Sequence, residues 1–282
     1  MGRLIKDIVT ELVGKDLAHK VWSRLELIGD IAVIRKSPEV SLDMLKLVAE
    51  ELLRRLPYVR SVWAAVTPVT GAYRTREYVH LAGERRSLTI YKEHGCQFYV
   101  DITKVYISPV LSYEHMRIAR MVREGEYVIN MFAGVGLFSI IIARHARPSK
   151  VVSIDINPYA YELMIKNISM NHVEGVVEPV LGDAGEVISN YSEIADRVLM
   201  PLPELAFKYF PKAVNALKNS GFIHVYEFEL GRSKEEAIDK VVNKYLIKAV
   251  ELGVSAEVTS SRVVRSVGPR RYQVVLDMRI TS

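Results

Sequence analysis

From about residue 104 onward, short apolar runs alternate with stretches of helical periodicity. Residues 112–124 place Met116, Ala119 and Val122 on one side of a predicted helix. Strand-like runs follow at Tyr127–Met131, Val151–Ile154, Val176–Leu181, Val198–Met200 and Phe222–Phe228, each trailed by a helical pattern. Such alternation predicts a parallel, doubly wound sheet with helices on both faces. A last strand is predicted at Tyr272–Ile280, after an irregular basic loop. The first hundred residues mix α and β. Their spacing predicts a helix over 40–55 stopped by Pro57, and a strand over Val59–Val66. Two more strands, Leu88–Tyr91 and Gln97–Ile102, flank a turn at His94-Gly95. The expected architecture is a Rossmann-like α/β domain over 104–282, preceded by a smaller α+β domain over 1–103.

Composition agrees with a folded chain: 282 residues, 49% hydrophobic and 25% charged, is a globular and not a disordered balance. The single cysteine, Cys96, excludes an internal disulfide framework and any Cys-rich zinc or iron–sulfur site. It fits a reducing cytoplasm, the expected location. No apolar run approaches the roughly 20 residues of a membrane span, and the N-terminus lacks a signal-peptide core. The seven histidines are scattered, with His94 in a turn and His224 in a strand, so no metal is expected. Nothing in the pattern demands an oligomer, and a monomer is favoured.

Charge changes the picture more. The net charge is +5, and an excess of five is already present between Arg54 and Arg86. There Arg54, Arg55, Arg60, Arg74, Arg76, Arg85 and Arg86 face only Glu77 and Glu84, with Tyr73 and Tyr78 interleaved. Arginines make forked contacts to phosphate and tyrosines stack on bases, so this window is a candidate RNA-binding surface. A solvated basic face explains it equally simply. Arg262, Arg265, Arg270 and Arg271 form a second, acid-free basic cluster in a loop-like stretch with Gly268 and Pro269.

The candidate chemistry sits at the strand ends. Asn130-Met131-Phe132-Ala133-Gly134-Val135-Gly136 follows the first strand of the alternating series, and its glycines let a ligand approach the backbone. The stretch reads as a structural turn, a dinucleotide site or an S-adenosylmethionine (AdoMet) site. A dinucleotide site favours a third glycine, where this chain has Leu137-Phe138-Ser139. An AdoMet site needs a carboxylate at the next strand end for the ribose hydroxyls, and Asp155 is there. Ile156 follows, then Asn157 and Pro158 as helix-starting residues. The third strand ends in Gly182-Asp183-Ala184, an acid suited to the adenine amine. The fourth ends in Pro201-Leu202-Pro203, a stiff wall for a pocket. Four such features in order favour AdoMet.

Over about Tyr73 to Ile280 the chain resembles the archaeal and eukaryotic tRNA guanine-37 N1-methyltransferases and their wybutosine-pathway relatives. The marks are Gly71 to Glu77, Val105-Tyr106-Ile107-Ser108-Pro109, Met131 to Gly136, Asp155 to Pro158, Asp196 to Pro203 and Gly268 to Tyr272. The resemblance implies a class I AdoMet-dependent methyltransferase acting on the purine beside the anticodon, guanine or a wyosine precursor, with tRNA as partner. It implies that Arg74 stabilises charge on the base and that Glu114 takes the ring proton. It also implies that Tyr106, Phe132, Gly134, Asp155, Ile156, Asp183 and Pro203 line the AdoMet pocket. Glu114 also stands at ion-pair spacing from Arg117. The chain departs from the family pattern at Val110, His115, Asn130 and Pro201. Aligning Arg74 leaves no room for the extra N-terminal domain of full methyltransferases, as in the wybutosine aminocarboxypropyltransferases. Three alternatives stand beside methyl transfer to tRNA: aminocarboxypropyl transfer, non-catalytic tRNA binding, and a small-molecule methyltransferase.

Overall fold

The computed structural model describes residues 2–281, which fall into two compact units on either side of the Ser112–Tyr113 bond. The first contains α1 (Gly2–Val13), α2 (Lys15–Ala18), β1 (Leu25–Ile28), β2 (Ile31–Arg35), α3 (Leu42–Arg55), β3 (Ser61–Ala65) and β4 (Tyr78–Gly83). It closes with a hairpin of β5 (Leu88–Glu93) and β6 (Cys96–Asp101). Strands β1 to β4 lie in chain order, with β2 and β3 parallel and joined through α3. Ser41 caps α3 by accepting the Met44 N–H at 3.2 Å. The apolar face of α3 (Leu45, Val48, Leu52) packs with Ile5, Ile8 and Val9 of α1 over Ile34, Val62 and Ala64. His94 and Gly95 have φ of 49° and 76°, the left-handed pair that a two-residue hairpin turn requires. Residues 104–112 stay with this unit because Val105, Ile107 and Leu111 are buried and the Lys104 and Val105 N–H groups bond to the Asp101 carbonyl.

The second unit begins with α4 (Ser112–Met121). Then come β7 (Tyr127–Asn130), α5 (Leu137–Ala146), β8 (Lys150–Asp155), α6 (Pro158–Met170), β9 (Val177–Leu181) and α7 (Ala184–Val187). The chain ends with β10 (Ala195–Met200), α8 (Pro203–Ala216), β11 (Leu217–Leu230), α9 (Lys234–Glu251), β12 (Ser255–Gly268) and β13 (Arg271–Thr281). The sheet order is β12-β13-β11-β10-β7-β8-β9. Strands β9, β8, β7, β10 and β11 run parallel, and β13 enters antiparallel between β11 and β12. One face carries Ile129, Val152, Val198, Met200, Val225 and Leu276 against Phe210 of α8 and Tyr245 of α9. The other carries Asn130 and Asp277, bonded to Ser139 of α5 and Arg117 of α4.

Two expectations need correction. The basic stretch before the last strand is no loop: Arg262 and Arg265 ride on β12, and only Pro269 and Arg270 turn the chain. Three register shifts between β12 and β13 break the two-residue alternation by which an edge strand is recognised. The buried face of α4 is only partly the expected one. Ala119 is buried, as is Val122 just beyond the helix, but Met116 is only half-buried and Glu114 and His115 are buried with Ile118.

Candidate active site

Parallel strands in register end at one edge of the sheet. Asn130 is level with Leu199 and Ser153, and Asp155 with Leu181. The four loops that follow therefore emerge together, as ligand sites of open α/β sheets do. Backbone bonds knit them: Met131 N–H to the Leu199 carbonyl at 3.0 Å, Ala133 to Ile154 at 2.8 Å, and Gly182 to Asp155 at 3.0 Å. Gly134 and Gly136 have φ of 57° and 94°, and Gly136 begins α5. A Cβ on Gly136 would also press on Met164 at 3.2 Å. Glycine is required there by conformation and by the close approach of α6.

Asp155 organises this edge. Its carboxylate accepts the Gly134 N–H at 2.6 Å and the Asn157 N–H at 2.9 Å, one on each oxygen. Burial raises its pKa against the lowering effect of these two bonds. Each oxygen keeps a lone pair for a ligand hydroxyl. Ile156 is exposed beside it, an apolar surface for a flat ring. Asn157 caps α6 by accepting the Tyr159 N–H at 3.0 Å. Asp183 caps α7 through the Gly185 and Glu186 N–H groups at 2.8 and 3.2 Å. Among the described residues its Oδ2 receives only the Tyr209 hydroxyl, at 3.0 Å. Phe132 stacks near Tyr209, with ring centroids 6.3 Å apart and planes 11° from parallel. Val135 and Ala184 turn their side chains into the core, so only their backbone faces the edge. Pro201 and Leu202 are half-buried, and Pro203 starts α8. A diol-binding carboxylate, an acceptor for an exocyclic amine and apolar ring walls fit the adenosine part of AdoMet.

Beside this edge lies a buried polar chain. Glu114 is 1% exposed. Its Oε2 accepts from the Tyr226 hydroxyl at 2.9 Å and from Arg117 Nε at 3.0 Å, and its Oε1 pairs with Arg262. Arg117 bonds Asp277 at 2.5 and 3.2 Å, and Asp277 accepts from His224 Nδ1 at 2.6 Å. His224 Nε2 meets Arg197 Nη1 at 2.6 Å, and Arg197 pairs with Glu126 at 2.8 and 3.0 Å. An arginine only donates, so Nε2 is the acceptor and Nδ1 carries the proton. Burial, supported by the charges of Arg197 and Arg117, pushes His224 down to about 4. Burial opposes the Asp277 carboxylate, but His224 and Arg117 outweigh it and hold its pKa low. Phe138, two residues past Gly136, lies 4.4 Å from the His115 ring and 6.1 Å from Tyr226, between centroids. His115 thus serves as an aromatic contact. Asn130 uses an amide that aspartate lacks, donating to Ser139 Oγ at 3.1 Å.

In the first unit, Arg74 occupies a tight turn with φ 55°, and Tyr106 and Val110 are exposed. The arginine window is mostly neutralised, partly by near neighbours and partly by carboxylates distant in sequence. Arg54 and Arg55 pair with Glu51, Arg55 also with Glu11, and Arg60 with Glu84 at 3.5 Å. Arg86 pairs with Asp30 and Glu84. Arg76 is turned inward, 9% exposed, against Glu26 at 2.9 Å and Tyr78. Arg85 is exposed and forms no ion pair among the described residues. In the second unit, Arg265 bonds Gln273 at 2.7 Å, Arg271 lies over Phe228, and Arg270 is exposed in the turn.

Sequence reasoning missed Tyr209, Tyr226, Asp277, Arg197 and the role of His224. The available signal was polar residues inside otherwise apolar strands, which must be partnered when buried. Among the described residues no group of His, Cys, Asp or Glu is placed to hold a metal ion, and no helix is long and apolar enough to cross a membrane.

This sheet order, the strand-end carboxylates and the glycine turn define a class I AdoMet-dependent methyltransferase. Residues 89–257 match the family model described as TRM5/TYW2 methyltransferase domain, and residues 5–86 match the TYW2 N-terminal domain. The chain belongs to the TRM5/TYW2 family. It is 43% identical over 263 residues to the tRNA 4-demethylwyosine(37)-methyltransferase Taw21 of Saccharolobus solfataricus, covering 92% of this chain and 94% of the other. It is 36% identical to Trm5b of Pyrococcus abyssi, a tRNA (guanine(37)-N(1))-methyltransferase, over 95% of this chain and 78% of the other. The crystal structure of that enzyme superposes with a TM-score of 0.85, covering the same shares. The structure of Methanocaldococcus jannaschii TYW2 with AdoMet superposes at 0.71 with 25% identity, over 92% of this chain and 99% of that one.

Proposed function

We propose that this chain methylates the modified purine at position 37 of tRNA, with 4-demethylwyosine favoured over guanine. The observation that carries the reaction type is Glu114: a buried carboxylate beside the strand-end edge, aligned by Tyr226 and Arg117. AdoMet held by Asp155, Asp183, Ile156 and Phe132 supplies an electrophilic methyl carbon and leaves as S-adenosylhomocysteine. A ring atom that gains a methyl group must lose its proton, and Glu114 accepts it as general base. Arg74 balances the charge that develops on the base. The 43% identity with Taw21, against 36% with Trm5b, supports the wyosine precursor. Pro201 supports it too, having no side-chain amide to read guanine. The first unit, residues 1–103 with the segment to 112, serves as a tRNA-docking module through Arg85 and neighbouring arginines.

The test is mass spectrometry of tRNA carrying either guanine or 4-demethylwyosine at position 37 after incubation with AdoMet. A methyl gain on the wyosine precursor with matching S-adenosylhomocysteine is expected. No gain on either tRNA refutes the reading. The match of residues 5–86 to the TYW2 N-terminal domain favours a second reading, aminocarboxypropyl transfer, which yields methylthioadenosine instead.

A further inference from the structure

Three groups hold the Glu114 carboxylate, and they are unequally fixed. Tyr226 is 1% exposed on the interior strand β11. Arg117 is anchored by both terminal nitrogens to Asp277. Among the described residues Arg262 has no second anchor. Its remaining contact there is the Tyr113 ring, 4.8 Å from the guanidinium carbon, neither its Nε nor its Nη2 makes a hydrogen bond, and 34% of its side chain is open to solvent. Register explains how it reaches the site: Tyr226, Val275 and Arg262 stand side by side on β11, β13 and β12. Beyond it along the same hairpin lie Arg265, Arg270 and Arg271.

We propose that Arg262 is a positioning residue that caps Glu114 Oε1 in the free protein and exchanges this carboxylate for an RNA phosphate on binding. Docking then uncovers the base. The proposal rests on Glu114 as the base. A guanidinium forks onto phosphate as well as onto carboxylate, so the exchange replaces one charge-assisted contact by another. It also primes the site. With Arg262 in place, Glu114 and Asp277 are balanced by Arg117 and Arg262, His224 being neutral. Its departure leaves one negative charge in excess beside the carboxylate and frees Oε1 to accept a proton.

The test is a double-substitution cycle on tRNA binding by the full chain, with AdoMet titration confirming the fold of each protein. Glu114→Gln removes the competing carboxylate charge and frees Arg262. It is expected to tighten tRNA binding about five-fold in the parent and to change nothing when Arg262→Met is present. Arg262→Met alone is expected to weaken binding and to lower the salt-dependence slope by about 0.7 to 0.9, one phosphate contact. Arg262→Lys restores the slope. An equal effect of Glu114→Gln in both backgrounds, or an unchanged slope in Arg262→Met, overturns the proposal. Should Arg262→Met fail to bind AdoMet, Arg262→Gln takes its place with the same expected outcomes. The cycle is read from binding alone, so absent methyl transfer by the parent sinks the proposed reaction without obscuring this result.

Discussion

Acidification is expected to destabilise the second unit through His224. The ring is fully buried, donates from Nδ1 to Asp277 and accepts at Nε2 from Arg197. Its folded pKa is held at about 4, against an ordinary value of 6.5. Between these values the unfolded chain binds a proton that the folded chain refuses. The stabilisation is therefore complete above pH 6.5 and is lost as pH falls through the folded value. Each unit is worth about 1.4 kcal/mol, so roughly 3 kcal/mol disappears by pH 4. Asp277, also held low, adds a further loss only at still lower pH. Both tryptophans, Trp22 and Trp63, lie in the first unit, so indole fluorescence does not report this event. Hydrogen exchange of peptides from β11 and β13, measured against urea from about pH 7.5 to about pH 4.5, does. His224→Asn, which keeps a donor and an acceptor but does not titrate, is the control. The parent is expected to lose stability more steeply than this variant below pH 6.5. Parallel loss in the two proteins would refute the reasoning.

Three other outcomes follow from the geometry. Asp155→Ala removes the acceptor of two backbone N–H groups and the ribose partner together, and calorimetry is expected to show AdoMet binding weakened about 100-fold, near 3 kcal/mol. Gly185→Ala places a Cβ 2.6 Å from the Tyr209 ring. It is expected to displace that ring from Asp183 and Phe132 and to weaken AdoMet binding about ten-fold while tRNA binding holds, an overpacking cost of about 1 to 3 kcal/mol. Arg76→Ala and Arg85→Ala should separate structure from recognition. The first strips Glu26 of its most buried partner, leaving it the more exposed Arg24 at 3.2 Å and Arg35 at 3.6 Å, and is expected to cost about 1 to 3 kcal/mol in thermal denaturation of the first unit. The second leaves stability unchanged and lowers the salt slope of tRNA binding by about 0.7 to 0.9. A stability-neutral Arg76→Ala contradicts the inward ion pair.

Over residues 40–55 and throughout most of the second unit, element succession and strand-end chemistry were legible in the sequence because they are local, whereas α1, α2, β1, β2 and β4 of the first unit were not read. Apolar runs of the parallel sheet are continuous, caps such as Asn157 and Ser41 act within three residues, and glycines with positive φ mark their own turns. Strand β12 was not legible, since its bulges erase the alternation that identifies an edge strand. The buried face of α4 was missed in part for a related reason: its central residue is a glutamate, and only partners on β11, β12 and the same helix make burying it tolerable.

Charge shows the division most clearly. By itself the sequence determined how many arginines stand between residues 54 and 86 and that their local neighbours fail to balance them. Tertiary structure alone decided which are available. Glu11, Glu26 and Asp30 lie far away along the chain yet pair with Arg55, Arg76 and Arg86, while Arg85 has no ion pair among the described residues. It likewise decided that Arg262 meets Glu114, 148 positions earlier in the chain. The physical reason is range. Caps, turns and periodicity act between near neighbours in sequence, whereas a Coulomb contact depends only on distance in space, and the sheet register sets that distance.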